Sequence, residues 1–82
     1  MSCYGHFTLK SYITIHDLYE LLTEADPQYI GDGLELKIPE TDIYFTMYQH
    51  KQNPDWSLGA YKEEHVLCIK QFLTKYEITD FY

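Results

Sequence analysis

The sequence predicts a small α+β fold. It reads as a two-layer sandwich, with two helices on a largely antiparallel sheet of three to five strands in the order β-α-β-β-(β)-α-(β). Three observations carry this. Apolar residues recur with period two near residues 3–9, 34–38 and 43–49. They recur at helical spacing over 15–25 and 62–76. Short stretches of Gly, Pro, Asp and Asn punctuate the chain between these runs.

Residues 3–9 place Cys3, Gly5, Phe7 and Leu9 on one side and Tyr4, His6 and Thr8 on the other, a half-buried strand. Thr14-Ile-His-Asp17 has the form of a helix start. Ile15, Leu18, Leu22 and Ala25 follow as an apolar stripe that Tyr19 and Leu21 widen. The expected helix has about eleven residues and ends before Pro27, because the residue preceding proline avoids the helical region.

Gly31-Asp-Gly33 reads as a turn and Leu34–Ile38 as a strand with one wet face. Pro39-Glu-Thr-Asp42 reads as a four-residue hairpin loop. The next strand, Ile43 to Gln49, sets Ile43, Phe45 and Met47 against Tyr44, Thr46 and Tyr48. A loop at 51–55 precedes a third strand over Trp56–Tyr61, which Gly59 weakens. Lys62 to Tyr76 is the second helix, with Val66, Ile69, Phe72, Leu73 and Tyr76 as its stripe. Glu63 and Glu64 fall in its first turn and Lys70 and Lys75 toward its end, an order that suits the helix dipole. The tail from Glu77 to Tyr82 has the composition of an edge strand.

The 82 residues make one domain, 1–82. At this size roughly 60–65% of the unfolded surface is buried on folding. The chain is 45% hydrophobic and 17% aromatic, which argues against disorder; nine tyrosines supply most of the aromatic excess. No run approaches the roughly 18 apolar residues of a membrane span. The first residues lack the basic and apolar regions of a secretory signal. Two cysteines are too few for a disulfide scaffold, so a reducing, cytoplasmic setting is expected.

Charge is concentrated. Between Asp17 and Asp42 lie Asp17, Glu20, Glu24, Asp26, Asp32, Glu35, Glu40 and Asp42 against one base, Lys37. The whole chain is −7, and all six of its bases are lysine. Without arginine and at this charge, direct nucleic-acid binding and attachment to an anionic membrane are both disfavoured. Held together, like charges repel one another and recover that energy against a basic surface. Asp17, Glu20 and Glu24 sit at i, i+3 and i+7, about 4.5 and 6 Å apart along a helix axis. They therefore act as one field at a screening length of about 8 Å. The functional reading is a polyanion mimic beside Tyr44 and Tyr48, two tyrosines on one strand face. The plainer reading is a solvated helix face, with the tyrosines covered by the Trp56 segment or the tail. The functional reading requires the acidic parts to form one surface next to the tyrosines.

Other chemistry is weak. Cys3-Tyr-Gly-His6 and His65-Val-Leu-Cys68 together offer Cys2His2 ligands for zinc, but a strand at 3–9 sends Cys3 and His6 to opposite sides. A Cys68–His65 thiolate couple lacks an orienting third group. Ser2, Ser11 and Ser57 have no nucleophile context, and an acid inside Gly31-Asp-Gly33 repels phosphate. No enzyme and no cofactor is expected. The leading expectation is a small acidic inhibitor of a basic, nucleic-acid-handling protein. Toxin-neutralising immunity proteins and phage-encoded inhibitors of bacterial defence systems are the corresponding types. The alternatives are a self-associating module that dimerises through the tyrosine face or a sheet edge, and a zinc domain.

Overall fold

The computed structural model describes residues 5–49 and 54–82. Cys3 and Tyr4 of the first predicted strand, and 51–53 of the predicted loop, lie outside them. The fold is α+β. Its strands are β1 (Gly5–Lys10), β2 (Gln28–Ile30), β3 (Gly33–Lys37), β4 (Tyr44–Gln49) and β5 (Asp55–Ala60). They form one antiparallel sheet in the order β1-β5-β4-β3-β2. Helix α1 spans Ile15–Leu21 and helix α2 spans His65–Thr74.

Register explains which side the helices take. Phe7, Leu58, Met47 and Leu34 lie in one cross-strand row. Ala60, Phe45 and Leu36 lie in the next, and all seven are buried. Leu18, Leu22 and Ala25 from the α1 region and Ile69, Phe72 and Leu73 from α2 complete that cluster. The Phe45 and Phe72 rings meet edge to face at 6.3 Å, and Tyr19 stacks on Tyr29 of β2 at 4.9 Å. Both helices therefore cover the same face, as period-two strands with one apolar side require. Trp56 is fully buried on this face, and its indole N–H donates to the Ser11 carbonyl at 3.1 Å.

The first helix is shorter than its stripe implies. Thr14 caps it, its hydroxyl accepting from Asp17 N at 3.1 Å. After Leu21 the chain tightens into a 3-10 turn at Thr23–Ala25. The Thr23 hydroxyl donates to the Glu20 carbonyl at 2.7 Å, and Asp26, before Pro27, takes a left-handed conformation. The change of pitch still buries both Leu22 and Ala25. Strand β2 follows at once; its three residues are too few to show a period. Gly31, with φ 56°, opens the two-residue turn into β3.

The hairpin loop Pro39–Asp42 is as expected, closed by Ile38 N donating to Ile43 O at 2.9 Å. Inside it the Thr41 hydroxyl donates to Ile38 O and accepts from Ile43 N. The Trp56–Tyr61 strand exists despite Gly59, ending at Ala60. Helix α2 begins three residues later than its pattern, after turns at Lys62–Val66, so Glu63 and Glu64 precede it rather than occupy its first turn. It ends in a Schellman pattern: Glu77 N donates to Thr74 O and Ile78 N to Leu73 O. The tail makes one bridge, Leu9 to Phe81, along the outer edge of β1 rather than a full strand. Lys10 N donates to Asp80 O, Tyr82 N to Thr8 O, and the Thr8 hydroxyl to Tyr82 O.

Candidate functional site

Alternation that buries one face of the sheet leaves the other without a helix. Its rows follow from the same register. Tyr44 stands opposite Lys37. His6, Gly59, Thr46, Glu35 and Gln28 form the next row, and Thr8, Ser57, Tyr48, Gly33 and Ile30 the one after. Trp56 faces the helices and the tail bonds to the β1 edge, so neither covers Tyr44 or Tyr48. Both are 41% exposed, and Tyr61 is 55% exposed.

These tyrosines are held, not loose. Tyr48 lies over Gly33: a Cβ there would come within 2.5 Å of the Tyr48 ring, so only glycine leaves the space. Tyr61, just beyond β5, packs edge to face on Tyr44 at 6.4 Å. Its hydroxyl donates to Glu35 Oε2 at 2.5 Å. That hydrogen bond to Glu35, then partial burial and nearby charge, raises the Tyr61 pKa above the ordinary tyrosine value. Glu35 itself is partly buried, flanked diagonally on β4 by Tyr44 and Tyr48. Lys37, the next cation on this face, donates to the Thr41 carbonyl at 2.8 Å.

The predicted acids do not form one surface. Asp17, Glu20 and Glu24 are exposed in the helical layer, with His16 Nε2 3.8 Å from Glu20 Oε2. Asp26 follows the 3-10 turn and accepts from Gln28. Asp32 sits in the β2–β3 turn, while Glu40 and Asp42 sit in the loop at the far end of β3, about 17 Å away at strand rise. Glu35 stands among the tyrosines. An eight-acid run in sequence is dispersed because the chain reverses at both ends of β3. Tyr61 was missed as a site residue. The signal was present, since Trp56, Leu58 and Ala60 pointing inward put position 61 outward.

The zinc set is not assembled. Cys3 lies outside the described residues. His6 is on the open face, whereas His65 and Cys68 belong to α2 over the other. Among the described residues no group of three or more His, Cys, Asp or Glu is arranged to hold a metal. Among them, too, no helix is long and apolar enough to cross a membrane. Comparison with family models, curated proteins and solved structures returns no match.

Proposed function

We propose that this chain is a small acidic protein-binding module of inhibitor type. It docks a basic, nucleic-acid-handling protein through the open sheet face and blocks that partner by occupying its basic surface. The observation that carries this reading is the uncovered face itself, with Tyr44, Tyr48 and Tyr61 exposed around Glu35 on a chain of charge −7. Tyrosines that are pre-ordered by packing lose little entropy on binding and favour slow dissociation. The acids outside this face act at longer range. Dispersed around the domain, Asp17, Glu20, Glu24, Asp26, Asp32, Glu40 and Asp42 steer a cationic partner during encounter. In this reading the acids supply the field, and the groove-filling role passes to the tyrosine face. Its setting is the cytoplasm of the producing or host cell.

The other occupant to consider is a second copy of this chain. Two copies would bring −7 against −7, a repulsion that a basic partner turns into attraction. The test is paired capture from host extract with wild type, Tyr44→Ala/Tyr48→Ala, and Asp17→Asn/Glu20→Gln/Glu24→Gln as baits. Binding kinetics on the purified partner follow. The expected partner is basic and loses nucleic-acid binding when the wild type is added. The tyrosine variant speeds dissociation, and the acid variant slows association and flattens its salt dependence. Association indifferent to salt, together with full retention by the tyrosine variant, overturns the reading. So does a stable dimer in sedimentation that buries the tyrosine face.

A further inference from the structure

Glu35 is chemically unusual on this face. It is partly buried, and its carboxylate is held by a neutral phenol. Among the described residues no lysine or histidine nitrogen lies within pairing distance of Glu35; the one such contact to a carboxylate is His16 to Glu20. Lys37 is turned to the Thr41 carbonyl. Around the carboxylate stand aromatic rings, whose faces are also electron-rich. Tyr44 and Tyr48 are its diagonal neighbours on β4, and Tyr61 reaches it across that strand. Gly59 lies in the same row on the far side of Thr46 and adds no side chain there, and His6 stands beyond it at the end of the row.

We infer that Glu35, Tyr44 and Tyr61 form a subsite for one arginine side chain of a protein partner. A carboxylate has about four lone-pair positions, and Tyr61 takes one, leaving room for a two-pronged contact. A planar guanidinium satisfies that contact and stacks on a tyrosine ring at the same time, which a compact ammonium does not. The Tyr61 bond orients the acid before the ligand arrives, so less freedom is lost on binding. The protein has no arginine of its own to occupy the subsite from a second copy. The inference rests on the docking face proposed above and names the group that face takes first.

The test needs no partner. The isotopically labelled protein is titrated with the capped tripeptide Gly-Arg-Gly, and separately with its lysine and citrulline counterparts, at constant ionic strength. NMR shifts are followed at each residue. The arginine peptide should give saturable shifts confined to Glu35, Tyr44, Thr46 and Tyr61. The lysine peptide should bind about fivefold more weakly, and the neutral citrulline peptide not at all. Glu35→Gln and Tyr44→Ala should each weaken the arginine peptide by about fivefold or more, while amide spectra of the variants report an intact fold. Equal shifts with lysine, or shifts spread over Asp17, Glu20 and Glu24, overturn the subsite. Because the peptides are free of any partner, that outcome leaves the docking kinetics above to stand or fall separately.

Discussion

The Tyr61 hydroxyl reaches over β4 to donate to Glu35 Oε2 at 2.5 Å, joining residues 26 positions apart on non-adjacent parts of the sheet. The pair organises the open face: it seats Tyr61 against Tyr44 and points an acid into a ring of tyrosines.

That bond makes the face sensitive to alkaline pH. The Tyr61 pKa is raised chiefly because Glu35 accepts its proton in a hydrogen bond. A group whose folded pKa exceeds its unfolded value holds its proton more tightly in the native state. Its stabilisation is therefore complete below the unfolded tyrosine value of about 10 and is lost as pH rises through the raised folded value. In Glu35→Gln the Tyr61 transition should move back toward about 10, measured by the pH dependence of its ring carbon shifts. An unmoved transition would show that Glu35 is not the cause.

Glu77 closes α2 with φ 64°, a left-handed position where a Cβ is unfavourable and glycine is the usual occupant. Its backbone makes the Schellman bond to Thr74 O, and Ile78 after it is buried. Glu77→Gly should stabilise the protein by about 0.5–1 kcal/mol, the relief of the left-handed strain less the added freedom of the unfolded chain. For a domain of this size that is a rise in Tm of about 2–8 °C. Glu77→Ala keeps the strain and should change Tm little. Equal effects of the two variants would assign the change to the lost charge instead.

Gly33 is needed for a different reason. A Cβ there would lie 2.5 Å from the Met47 carbonyl oxygen and 2.5 Å from the Tyr48 ring. The ring can swing away; the backbone of a central strand cannot. Gly33→Ala should cost about 1–3 kcal/mol in denaturant unfolding. It should also abolish the upfield ring-current shift that Tyr48 imposes on the α-protons of residue 33. A stable variant with that environment unchanged would contradict the packing described.

Much of this was legible in the residues. Strict alternation at 34–38 and 43–49 gives both strands and their buried sides, because a two-residue period admits only one assignment of faces. Thr14 and Pro27 bracket the first helical segment, and Pro39–Asp42 turns the chain as its composition implies. What was not legible was local competition. The Thr23 hydroxyl bonding back to Glu20 converts the end of a regular helix into a 3-10 turn, and three residues of β2 carry no period to read.

The sequence by itself determined the two-layer α+β class, the apolar face of each long strand and the excess of acid over base. These depend on periodicity and composition, which are properties of neighbours along the chain. Only the tertiary structure decided that the acids disperse, that Tyr44 and Tyr48 stay uncovered, and that Glu35 meets Tyr61. Those outcomes depend on strand order: β5 inserts between β1 and β4, and β3 reverses at both ends. Proximity between strands follows from pairing across the sheet, and eight neighbouring charges in a chain carry no information about it.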